Sequence, residues 1–131
     1  MTTPSIPDDL VRQALQEQPD LAFAVLVGSR ATGTQRPDSD WDIALQWAPT
    51  VDAYNALGAT ETLRHQLAHA LQQPATAVDL IDLRRANLAM RASVAEEGQT
   101  LHIANGLAWA QVLERTWREL EQFEWEQRHA A

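Results

Sequence analysis

Gly28-Ser29-Arg30-Ala31-Thr32-Gly33-Thr34-Gln35-Arg36-Pro37-Asp38-Ser39-Asp40-Trp41-Asp42 is the stretch on which the reading of this chain turns. It leaves one apolar run through Gly-Ser and enters the next through Asp-x-Asp, with ten residues between the two signals. The run before it, Leu21-Ala-Phe-Ala-Val-Leu-Val27, is bounded by Asp20 and Gly28. Continuous apolar character without alternation is the pattern of a strand buried on both faces, so it predicts a central strand. Trp41-Asp-Ile-Ala-Leu-Gln-Trp47 predicts a second strand, and the Gly- and Pro-containing stretch between them a turn-rich connection with one helical turn around Arg30 to Gly33. Residues two apart on a strand share a face, so Asp40 and Asp42 present their carboxylates side by side while Trp41 points the other way.

Two adjacent carboxylates oppose each other's ionisation, and a hard divalent cation relieves the conflict. Mg²⁺ takes one or two carboxylates and completes its shell with water and substrate phosphate oxygens. Gly28, following a buried strand, allows backbone to approach a ligand closely, and Ser29 with the amides after it offers donors to phosphate. Either half alone reads as a connecting loop or a pair of solvated charges. Together, between two buried strands, they define a metal–phosphate site. Arg30 and Arg36 flank it as candidate partners for triphosphate charge, or as solvated loop arginines.

Outward from this centre the pattern continues on both sides. A short helix runs from Asp8 or Asp9 to Glu17, with an acidic first turn and Pro19 beyond its end. A longer one spans Asp52 to Gln72, with Ala56, Thr60, Leu63, Leu67, Ala70 and Leu71 at three- and four-residue spacing. Ala77-Val-Asp-Leu-Ile-Asp-Leu83 predicts a third strand, Asn87 to Glu97 a helix stopped by Gly98, Thr100 to Ile103 an edge strand, and Gly106 to about Arg128 one long helix. The order of elements makes the fold α+β, or mixed α/β. One domain accounts for residues 1–131, with a core of about 8–103 and the C-terminal helix of about 106–128.

The third strand carries Asp79 and Asp82, three apart and therefore on opposite faces, so only one of them can join Asp40 and Asp42. On the last helix, at 100° per residue, Trp109, Val112, Leu113, Thr116, Leu120 and Phe123 form one stripe, predicted to face the core, with Trp125 about 160° away. An outward Trp125 among Glu121, Glu124 and Glu126 is a candidate partner anchor, because Trp is enriched at interface hot spots. Arg64-His-Gln-Leu-Ala-His69 matches the Arg-x4-His spacing of a ribonuclease motif, but that motif belongs to an all-helical fold. The four histidines, with only His65 and His69 at helical spacing, show no metal-ligand grouping.

Composition limits the function classes. The 131 residues include ten Lys+Arg against eighteen Asp+Glu, a net charge of −8, and all ten cations are arginine. Such a chain lacks the basic face that non-specific nucleic-acid binding needs. The absence of cysteine excludes disulfides, thiolate catalysis and Cys-ligated zinc, and suits a reducing compartment. Met1 to Asp9 is polar, with Pro4 and Pro7, and no apolar run reaches the roughly 18 residues of a membrane span, so a soluble, cytoplasmic protein is expected.

The quoted segment resembles the Gly-Ser-x10-Asp-x-Asp signature of the nucleotidyltransferase superfamily of DNA polymerase β. Gly28-Ser-Arg-Ala-Thr-Gly33 through Ser39-Asp-Trp-Asp-Ile43 resembles its minimal nucleotidyltransferases, with Trp41 where the family has a smaller apolar residue. The resemblance implies a mixed sheet of about four strands with flanking helices. It implies transfer of a nucleoside monophosphate from a nucleoside triphosphate with two Mg²⁺ ions, and three catalytic carboxylates. Asp40 and Asp42 match the first two, and Val78-Asp79-Leu80 matches the third better than Asp82 does. Stand-alone domains of this kind resemble the antitoxins of HEPN ribonuclease toxins in type VII pairs, which move AMP from ATP to a toxin tyrosine. ATP as substrate and a complex with a HEPN toxin are the corresponding expectations, and an acidic protein suits a partner with a cationic RNA-binding surface. The alternatives are neutralisation by binding alone, and transfer to a small molecule such as an aminoglycoside, for which the chain is short of an acceptor domain.

Overall fold

A computed structural model describes residues 6–130; the first five residues of the polar N-terminal stretch lie outside it. The elements are α1 (Ile6–Gln16), β1 (Leu21–Val27), α2 (Ser29–Thr32), β2 (Trp41–Trp47), α3 (Ala53–Leu71), β3 (Val78–Asp82), α4 (Leu88–Glu97), β4 (Gln99–Ile103) and α5 (Gly106–Arg128), with a 3₁₀ turn at Ala75–Ala77. The four strands form one mixed sheet in the order β3-β2-β1-β4. β1 is antiparallel to both neighbours, and β2 and β3 are parallel, joined by α3 as their crossover.

All seven residues of β1 are buried, as a strand with a neighbour on each edge and helices on each face requires. One side of the sheet meets α1 and α3, where Leu26, Ile43 and Leu45 pack on Val11, Leu15, Leu63 and Leu67. The other side meets α4 and α5, where Phe23, Val25 and Val27 pack with Val94, Trp109 and Val112. Strict alternation along β1 is broken once. The register to β2 shifts between Leu21 and Phe23, and Ala22 and Phe23 in succession join the α4/α5 side, the rephasing that a bulge produces.

Helix starts are set by short polar side chains. Asp52, Asn87 and Asn105 are N-caps whose side-chain oxygens accept from the backbone N–H of Asn55 at 2.8 Å, Met90 at 2.9 Å and Ala108 at 3.1 Å. Asp52 and Asn87, which begin helices in the sequence reading, thus sit one residue outside them. α4 and α5 are joined by the Arg91 guanidinium, which donates to Glu119 at 2.5 Å, while Arg115 donates to the same carboxylate at 3.0 Å.

One sequence expectation fails on α5. Phe123, placed on the core-facing stripe, is 51% exposed. Trp109 does pack inward, 5.0 Å from the Phe23 ring, and Thr116 is fully buried, but every described residue from Glu121 onward is exposed. At about 34 Å the helix outruns a seven-residue strand of about 23 Å, so its last turns project past the sheet that the stripe would cover. No described helix is long and apolar enough to cross a membrane.

Candidate active site

Gly28 follows β1 directly, and its φ of 72° lies in the region that glycine adopts without strain. The chain then makes a single helical turn. The N–H groups of Ala31 and Thr32 bond back to the Gly28 carbonyl at 3.1 and 3.2 Å, and Gly33, at φ 78°, closes the turn. From there the loop runs through a second turn, in which Ser39 N–H donates to the Arg36 carbonyl at 3.0 Å and the Arg36 N–H to Ser39 Oγ at 2.7 Å. Asp40 follows as an exposed residue just ahead of β2, and Trp41 turns its ring into the α1/α3 core.

Asp42 is the centre of the arrangement. In the antiparallel pair it stands opposite Val27, the residue before Gly28, and in the parallel pair it stands opposite Asp79. Residues opposite one another share a sheet face, so Asp42 and Asp79 project together. A Cβ placed on Gly28 would collide with Asp42 Oδ2, so this glycine makes room for a carboxylate lying across the end of β1. Burial pushes the Asp42 carboxyl above its ordinary range, and the charges of Asp79 and Asp40 push it further; only Arg30 opposes them. The three carboxylates therefore feel one another, and the least exposed carries the conflict.

Asp82 is elsewhere. It is opposite Leu45, on the other face of the sheet, and its Oδ1 accepts the Arg84 N–H at 3.0 Å in the turn that ends β3. The parallel register thus brings Asp79 beside Asp42 and keeps Asp82 apart.

Arg30 has a defined position. Its Nε and Nη2 both donate to the Ser39 carbonyl, at 3.3 and 2.8 Å, and its guanidinium lies 4.4 Å from the Trp41 ring centroid. It ties the helical turn to the residue preceding Asp40 and places positive charge near Asp42. In the sequence Arg30 is a candidate for phosphate and Trp41 a core residue; the structure joins them. The signal was available in the large ring at Trp41, since an arginine stacks on an aromatic face at little cost in hydration. Arg36 lines a hollow with Arg30, Pro37, Trp41 and Leu71, and none of the three carboxylates is in its lining. Ser29 is half-buried at the start of the helical turn.

Other sequence candidates lie outside the site. Trp125 is 52% exposed near the end of α5, its ring stacked on His129 at 4.2 Å. Arg64 spends its donors on the Ala75 carbonyl at 3.0 Å and on Glu61 at 2.7 Å, so the Arg-x4-His spacing is a helix-surface coincidence. It does lend positive charge in the direction of Asp79, a link that its position two turns before the end of α3 hides in the sequence.

Among the described residues no three His, Asp or Glu side chains form a ready metal cage. The donor set is nonetheless all hard oxygen, and the elevated Asp42 carboxyl beside Asp79 and Asp40 marks uncompensated negative charge. That fits Mg²⁺, which draws the rest of its shell from substrate and water rather than from protein.

The family profile described as Polymerase beta, Nucleotidyltransferase matches residues 10–106. The chain is 39% identical over 83 residues to the protein adenylyltransferase MntA of Shewanella oneidensis, an alignment spanning 63% of this chain and 55% of that protein. Its fold is similar to that of a toxin–antitoxin structure with AMP-PNP, with a TM-score of 0.70 at 28% identity over 92% of each chain. It is also similar to a toxin–antitoxin MntA–HepT structure, with a TM-score of 0.65 at 25% identity over 94% of this chain and 92% of that one.

Proposed function

The chain belongs to the polymerase β nucleotidyltransferase family, matched across residues 10–106, and from that premise we propose that it is an adenylyltransferase antitoxin. Its reaction is transfer of AMP from ATP to a tyrosine of a cognate HEPN ribonuclease toxin. The observation that carries this reading is the register that sets Asp79 opposite Asp42, with Gly28 giving way to the Asp42 carboxylate. A domain that only bound its partner would have no use for carboxylates held in mutual repulsion. The similarity to MntA, named a protein adenylyltransferase, and the fold shared with a toxin–antitoxin structure holding AMP-PNP support the donor and the partner.

Asp40, Asp42 and Asp79 would hold two Mg²⁺ ions, and Gly28 and Ser29 with the first amides of α2 would receive the triphosphate. When bound, the ions supply the positive charge that stabilises the attacking and leaving oxygens. The protein's part is positioning, as in other phosphoryl-group transfers. Arg30 fixes the loop so that Asp40 stays in line with Asp42, and the α2 amides orient the donor. A bond forms between the tyrosine oxygen and the α-phosphorus, the bond from that phosphorus to the β-phosphate oxygen breaks, and pyrophosphate leaves. The phenolic proton passes to solvent. The toxin docks against the projecting end of α5, where Trp125 serves as an anchor, and the pair functions as a hetero-oligomer in the cytoplasm.

Incubation with ATP, Mg²⁺ and the product of the neighbouring gene, followed by intact-mass measurement of that product, tests the reading. Addition of one or more AMP units, absent in the Asp40→Ala/Asp42→Ala variant, is the expected result. Neutralisation of the toxin with no change in its mass would assign the protein to binding alone.

A further inference from the structure

The sheet ends at β3, and no described strand covers its outer edge. The order β3-β2-β1 sets Asp79, Asp42 and the Gly28–Ser29 turn in a row. The phosphate-receiving turn occupies one flank of the carboxylates, so an acceptor approaches from the other, across β3.

That edge has free hydrogen-bonding capacity. The Leu83 N–H donates to the Leu45 carbonyl at 2.9 Å, so alternation along the strand turns the backbone groups of Ile81 and Asp79 toward β2 and those of Leu80 outward. At the two ends the outward groups are partly used. The Val78 N–H bonds to the Ala75 carbonyl, and the Asp82 carbonyl accepts from the Arg85 N–H at 3.0 Å. The open edge is therefore centred on Leu80. Beside it lies a cleft of about 410 Å³, walled by Leu57 and Glu61 of α3 and by Leu80, Asp82 and Arg85. Leu57 is 54% exposed there.

An unpaired edge beside a cleft that mixes aliphatic and charged side chains matches an extended polypeptide, whose backbone repeats donors and acceptors at the spacing of the strand and whose side chains are of both kinds. Small molecules do not share that repeat. We propose that the free edge of β3 is where the acceptor docks: an extended, hydroxyl-bearing segment of the partner protein adds as a further strand along Val78–Asp82. Its aliphatic side chains rest on Leu57 and Leu80, a basic residue faces Asp82, and the hydroxyl is delivered to Asp79. This rests on the adenylyltransferase reading and specifies how the protein substrate is held.

Leu80→Pro tests it in the full-length chain. Proline is tolerated on an edge strand where the N–H faces solvent, so the variant keeps the fold but loses the central donor. With the cognate toxin as acceptor, its KM is expected to rise about tenfold or more, the worth of one or two backbone bonds. The KM for ATP stays within about twofold on the same basis, and Leu80→Val, which keeps the N–H, restores the toxin KM. Should Leu80→Pro misfold, Leu57→Arg, on the exposed surface of α3, blocks the same cleft and is expected to raise the toxin KM likewise. A wild-type protein that transfers AMP while both variants keep its toxin KM overturns the docking mode alone. A wild-type protein that transfers nothing removes the functional reading as well. If the isolated chain forms a dimer that Leu80→Pro dissolves, the edge belongs to a second copy and the proposal is overturned.

Discussion

Gly28 and Gly33 lie five residues apart with nearly the same positive φ, 72° and 78°, yet they do different things. A Cβ at Gly33 meets open space, whereas at Gly28 it meets the Asp42 carboxylate. Gly33→Ala carries the left-handed backbone cost of roughly 1–2 kcal/mol, and Gly28→Ala, at φ 72° and ψ −157°, a cost of roughly 1–3 kcal/mol in a region that is essentially glycine's alone. Only Gly28→Ala also displaces Asp42, so thermal melts should show both variants destabilised while AMP transfer is lost in Gly28→Ala and kept in Gly33→Ala. Asp42 illustrates the opposing demands of stability and chemistry. Its carboxyl is raised by burial and by Asp79 and Asp40, so ionisation is disfavoured in the folded state. Asp42→Asn removes that conflict and is expected to raise the melting temperature while abolishing transfer. A lower melting temperature in the variant would show that the carboxylate holds the fold together rather than opposing it.

Between elements, the junction of α4 and α5 is where the described structure is least satisfied. Arg91 reaches Glu119 with one nitrogen, but its Nη1 and the Thr116 hydroxyl are buried without a hydrogen-bond partner. Replacing a buried, unpaired hydroxyl by a methyl of the same shape removes a desolvation cost, so Thr116→Val should stabilise the protein by about 1 kcal/mol in a denaturant titration. Hydrogen bonds from Arg91 and then Arg115 hold the Glu119 carboxyl below its ordinary value of 4.5. A carboxylate of lowered pKa contributes stability that is present above the unfolded value and is lost as pH falls through the folded one. Melting temperature should therefore decline below about pH 4.5, and Glu119→Gln should be less stable at neutral pH with a shallower acid decline. Strand and helix identities at this scale were readable. Leu21–Val27 and Trp41–Trp47 are strands as read because each is an apolar run between polar or turn-forming neighbours. The bulge at Ala22 and Phe23 was hidden, since its cause is the pairing register and not the local sequence.

For the molecule as a whole, the projecting end of α5 is the feature that the core does not account for. Trp117, Phe123 and Trp125 are 42%, 51% and 52% exposed along it, among glutamates. Large aromatic rings left in water on an acidic helix suit a partner with a cationic and partly apolar surface. Trp125→Ala is expected to weaken toxin binding by about tenfold or more, with the melting temperature little changed because the ring is 52% exposed and stacks on His129, just past the end of α5. Unaltered affinity in a calorimetric titration would remove Trp125 from the interface.

Legible along the chain were the two central strands and the placing of Gly-Ser and Asp-x-Asp at their ends. Gly-Ser and Asp-x-Asp at the ends of two apolar runs define local backbone geometry and side-chain alternation, which depend only on neighbours along the chain. The tertiary structure decided which carboxylate joins the pair. Spacing alone leaves Asp79 and Asp82 open and the family resemblance favours Asp79; the parallel register of β3 against β2 is what turns Asp79 toward Asp42. It also decided that Phe123 faces solvent, because helical period shows which side a residue lies on but not how far the neighbouring layer extends. Arg30 over Trp41 belongs to the same class, a contact between residues eleven apart that the loop's folding brings to 4.4 Å. Each of these is a matter of where separate segments meet, and that is set by packing across the sheet rather than by any one segment's own preferences.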